Sequence, residues 1–180
     1  LLRLRVWLVG ALSISGAWTI PADSTAATRP GPIHGSVQTA PSDSIPGVVA
    51  TCTDFRSLAT FGVHAQRIQG DGLIPGGWSP DGARLCLGST QNVATSMLPD
   101  GDGGAFVVWV DGRSGDADLY IQRLSGSGSV AAGWPQEGIS LCVARGGQAQ
   151  VSICTDGADG AIVAWQDYRN DIAGDIYAQR

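Results

Sequence analysis

Apolar residues along this chain come in short runs, broken by clusters of Gly, Asp, Ser and Pro. No window carries an apolar stripe at helical spacing. The clearest runs are "AFVVWVD" (Ala105 to Asp111), "DLYIQRL" (Asp118 to Leu124), "GISLCV" (Gly138 to Val143) and "AQVSIC" (Ala149 to Cys154). Each has the length of a strand, and the breaks "GRSGDA", "SGSGSVAAGWPQE" and "ARGGQ" are turn chemistry. In "AFVVWV" both faces of an extended chain are apolar, which predicts a strand buried on two sides. The pattern reads as all-β.

The pattern also repeats. Gln66-Arg67, Gln122-Arg123 and Gln179-Arg180 are separated by 56 and 57 residues. Asp54, Asp111 and Asp167 are separated by 57 and 56, as are Arg56, Arg113 and Arg169. Trp78 to Trp134, Cys86 to Cys142, Asp100 to Asp156 and Trp109 to Trp165 are all 56 apart. Four short strands per repeat predict β-propeller blades of four antiparallel strands. A β-sandwich has no reason to repeat, and a β-solenoid coil is usually shorter. The chain holds about two and a third units of ~56 residues, whereas a closed propeller takes about 4–8 blades. The expectation is an incomplete propeller over 47–180. Its open faces would be covered by remaining blades of a longer chain, of which this would be a fragment, or by self-association.

Ahead of the repeats, Arg3 and Arg5 precede "VWLVGALSISGAW" (Val6 to Trp18), and small residues follow in "PADSTAATRP". A positive start, an apolar core and a small-residue exit predict a secretory signal peptide over 1–26, cleaved near Ala26 or Ala27. The alternative is an uncleaved anchor, the one route to a membrane. Residues 27–46 are rich in Pro, Ser, Thr and Gly and read as a linker. The expected location is secreted, extracellular or periplasmic.

Composition sharpens this. Glycine is abundant at 26 residues, and charged residues make up only 15% of the chain. Glu137 is the single Glu among 16 acids, and Asp favours turns because its short side chain bonds the local backbone. Net charge is −5, with no basic run. Nucleic-acid binding needs a basic stripe to release counterions, so that class is excluded.

The shared pattern "DG-x-GGA-hydrophobic-x-W-x-D-x-R … D-x-Y-x-Q-R … G … W … G … C … Q" resembles repeats of large secreted bacterial β-propeller proteins, loosely grouped with the sialidase-like propellers. The resemblance covers Cys52 to Arg180 and implies architecture rather than activity. "WSPDGARLCL" (Trp78 to Leu87) also resembles the "SPDG-x-x-L" repeat of TolB-type propellers. One unit on, "WPQEGISLCV" keeps Trp, Gly, Leu and Cys but loses the Pro-Asp-Gly, so turn chemistry accounts for that match. The implied role is a binding or scaffold module for a protein or glycan. The alternatives are an N-terminal piece of a sialidase-like glycoside hydrolase, or a TolB-like periplasmic interaction protein.

Candidate chemistry is sparse. Asp111/Arg113, with Asp54/Arg56 and Asp167/Arg169, could hold a carboxylate, since Arg pairs with carboxylates in a bidentate way. A catalytic set converges on one point, however, whereas these residues recur at one place in every unit. An ion pair within each blade is the simpler reading. Trp109 and Trp165 are expected between blades, with a glycan platform as the alternative. "DGDGG" and "DGADG" make Asp100, Asp102, Asp156 and Asp159 candidate calcium ligands, although Asp-Gly also favours hairpin turns and no Glu closes the loop. No other cofactor is implied. Cys142 and Cys154, read as neighbours across a short hairpin, are a candidate disulfide; use as single buried thiols is the alternative. With His34 in the linker and His64 in the place of Tyr120 and Tyr177, no hydrolase set is visible and catalytic residues are none.

Overall fold

The computed structural model describes residues 33–34, 47–57, 60–86 and 93–180. The leader expected over 1–26, nearly all of the linker expected over 27–46, and the side chains of His34, Asp54 and Arg56 lie outside the described residues. Every element described is a strand. Among the described residues no helix is long and apolar enough to cross a membrane.

Among the described residues, eleven strands form three sheets. The first holds β1 (Ile33–His34), β2 (Gly47–Ser57), β3 (Thr60–Gln69) and β4 (Ala83–Arg84). The second holds β5 (Val93–Pro99), β6 (Ala105–Asp111), β7 (Asp118–Leu124) and β8 (Ile139–Cys142). The third holds β9 (Gln148–Thr155), β10 (Ala161–Asp167) and β11 (Asp175–Gln179). Each sheet is an antiparallel meander in chain order, the simplest result of joining short strands by tight turns. Residues one repeat apart hold the same register: Cys52 faces His64, Trp109 faces Tyr120, and Trp165 faces Tyr177. In the second and third sheets the first strand slips by one residue opposite that Trp, a bulge that carries Gln150 at φ 49° in the third.

The sheets divide the repeat one strand earlier than the sequence suggests. The run at Ala149 to Cys154 belongs to β9, which pairs with β10 and not with β8. The segment 143–147 therefore crosses between sheets instead of closing a hairpin. Gly146 and Gly147 turn it with φ of 92° and 78°, and the Gln148 N–H then donates to the Ala117 carbonyl of the second sheet at 2.8 Å. Periodicity identifies strands; it does not say on which side a strand finds its partner.

The sheets stack face to face. Residues alternate sides along a strand, so β6 sends Ala105, Val107 and Trp109 one way and Phe106 and Val108 the other. The first group packs with Val49, Val63, Ala65, Leu85 and Cys86 of the first sheet. The second packs with Val163 and Trp165 of the third. Sheet two is thus covered on both sides, as the apolar run in "AFVVWV" requires. Below, the side of a sheet turned toward the preceding sheet is its back, and the other side its front.

Candidate functional site

Among the described residues, a repeated constellation of polar and aromatic groups sits at the ends of β6 and β10. Trp109 and Asp111, two apart on an extended strand, face the same way, and the turn after β6 brings Arg113 back over them. The Trp109 indole N–H donates to Asp111 Oδ2 at 2.9 Å, and the Arg113 backbone N–H donates to Oδ1 at 2.9 Å. The Arg113 guanidinium donates to Oδ2 and reaches the Glu137 carbonyl at 3.3 Å. It also lies 4.1 Å above the Tyr120 ring, which stacks on Trp109 with centroids 6.0 Å apart. Such a cation over an aromatic face is attracted by the ring quadrupole.

The third sheet repeats the arrangement. Trp165 donates to Asp167 Oδ2 at 3.0 Å, the Arg169 backbone N–H to Oδ1 at 3.0 Å, and the Arg169 guanidinium to both oxygens at 2.8 and 2.6 Å. Arg169 lies 4.1 Å above Tyr177, which stacks on Trp165 at 6.3 Å. Both carboxylates are fully buried.

Charge follows from these contacts. The Arg169 hydrogen bond is the main reason Asp167 is held far below the ordinary carboxylate range. Burial opposes it, while Trp165 and a backbone N–H assist. For Asp111 burial is the largest influence and pushes the carboxyl up. The bonds from Arg113 and Trp109 together outweigh it, and the net shift is downward. These Asp residues are therefore fixed anions, unsuited to taking up a proton near neutral pH.

A cysteine joins each site from the preceding sheet. Arg169 reaches Cys142 Sγ at 3.1 Å, and the thiol lies 3.4 Å from Asp167 Oδ2. Its repeat mate Cys86 lies in the field of Asp111, Arg113 and Glu137, and burial pushes its thiol up to about 11. Burial also raises Cys142. These thiols stay protonated and act as small packing groups with a polar edge.

The disulfide expected between Cys142 and Cys154 is not formed; these two thiols are free. Cys142 lies beside Asp167, whereas Cys154 sits opposite Ile162, five residues along β10. At ~3.3 Å per residue that is about 16 Å, against the ~7 Å Cα limit for a disulfide. The assumed hairpin between the two was the sheet crossover.

The four candidate calcium ligands are likewise not gathered into one site. Asp100 Oδ1 accepts the backbone N–H of Asp102 at 3.0 Å and of Gly104 at 2.8 Å, while Arg123 binds its other oxygen at 3.1 Å. Asp156 repeats this with Ala158, Gly160 and Arg180 at 2.8, 3.1 and 2.7 Å. Asp102 is exposed and meets Arg123 at 3.6 Å; Asp159 is exposed in the second loop. Among the described residues no group of three His, Cys, Asp or Glu side chains is spaced to hold a metal. The "DG-x-GG" signature has a steric reason: a Cβ on Gly104 would sit 1.9 Å from the Leu124 carbonyl oxygen.

Of the residues singled out from the sequence, the structure joins Trp109 with Asp111 and Arg113, and Trp165 with Asp167 and Arg169. It keeps the two sets in separate sheets. Sequence reasoning missed Tyr120, Tyr177, Cys86 and Cys142 as members of the sets, although all four stand at the repeat spacing. Comparison of the chain with protein-family models, with curated proteins and with solved structures gave no match.

Proposed function

We propose that this chain is a binding or scaffold module built from propeller-type blades, exported by its N-terminal segment and serving a protein or glycan partner. The antiparallel meander sheets, stacked front to back with the same residue types at the same places, support the blade reading. The observation that carries the functional half is how charge is used. Asp111 and Asp167 are buried with both oxygens engaged, each by its own Trp and Arg, in different sheets. A buried carboxylate held by three or more donors anchors a fold.

The test sets turnover against retention. The chain and its Arg113→Gln variant are assayed on aryl glycosides, including sialosides, and on immobilised glycans and candidate protein ligands. The expected result is no turnover, a lower melting temperature for Arg113→Gln, and partner retention unchanged in the folded variant. Sialoside hydrolysis that disappears in Arg113→Gln would assign that arginine to catalysis and overturn the reading.

A further inference from the structure

We draw no further inference here: the strongest candidate, the buried guanidinium of Arg67 on β3, which donates to the Gly103 carbonyl and leaves Nη2 without a partner among the described residues where Arg123 and Arg180 each bind an Asp, carries nothing because the carboxylate that the repeat spacing offers it, Asp43, lies outside the described residues.

Discussion

Asp111→Asn keeps the shape of the side chain, yet it should destabilise the fold by about 2–4 kcal/mol. The three groups around this carboxylate are all donors: the Arg113 backbone N–H at Oδ1, and the Trp109 indole and Arg113 guanidinium at Oδ2. An amide offers one oxygen and one NH2. Turned with its oxygen toward Trp109 and the guanidinium, it points the NH2 at the Arg113 backbone N–H. Turned the other way, it orphans the indole and the guanidinium together. The first orientation is cheaper and leaves one buried donor without an acceptor, about 1–3 kcal/mol. Losing the ion pair adds only about 1 kcal/mol, because the Arg113 side chain is 29% exposed and water can rehydrate it.

Urea denaturation followed by circular dichroism and tryptophan fluorescence at neutral pH measures this directly. At roughly 2–4 °C per kcal/mol for a chain of this size, the melting point should drop by about 5–15 °C. The control is Asp102→Asn, whose side chain is 85% exposed and should change stability by less than about 0.5 kcal/mol. If Asp111→Asn behaves like Asp102→Asn, the donor arrangement does not hold the sheet and the reasoning fails.

Three other outcomes are expected. Asp111 and Asp167 titrate below the ordinary range in the folded chain, so their stabilisation is fully present above about pH 4 and is lost as pH falls toward the folded values. Melting temperature should therefore fall more gently in acid for the Asp111→Asn/Asp167→Asn double variant than for the parent, and equal slopes would refute the assignment. Cys154 should react at once with a maleimide while Cys86 and Cys142 react only on unfolding; a Cys142–Cys154 linked peptide in an unreduced digest would contradict the free thiols. Gly138→Ala should destabilise more than Gly157→Ala. Both positions have positive φ, 76° and 83°, but only at Gly138 does the new Cβ meet a side chain, 2.4 Å from Trp109 Cη2. Equal melting points for the two variants would show that Trp109 moves aside freely.

The all-β character, the strand positions and the two-sided burial of β6 could be read from the residues alone, because each depends on local alternation and turn chemistry. Asp111 with Arg113 was also legible from their recurrence at the repeat spacing, although Arg113 reaches the carboxylate from the turn after β6 and not along the strand. What the sequence did not reveal was pairing across the junction of two units. Cys142 and Cys154 look like neighbours across a five-residue turn, but Gly146 and Gly147 send the chain into the next sheet. A turn-rich segment reads the same whether it closes a hairpin or crosses over. The Asp100 and Asp156 loops show the same limit: an Asp among glycines suits an ion or its own backbone equally well. Only the positions of Arg123 and Arg180 favour the second.

That offset between the strand runs and the sheets explains why the repeated polar residues are the ones they are. Each junction is tied by groups drawn from both of its sheets. Arg67 donates to the Gly103 carbonyl, Trp78 Nε1 to the Gly126 carbonyl at 2.9 Å, and Arg169 to Cys142 Sγ. Arg67 lies on β3 and Trp78 in the connection from β3 to β4, with their acceptors in the loops before β6 and after β7; Cys142 lies on β8 and Arg169 in the turn after β10. A sheet taken alone would leave half of each pair without its partner and one apolar face in water. Its stability therefore resides largely in the junctions, where the neighbouring sheets meet. At the junction of sheets two and three, Arg169 and Cys142 bridge while Trp165, Asp167 and Tyr177 hold Arg169 in place, and the same five residue types stand at the repeat spacing one unit earlier.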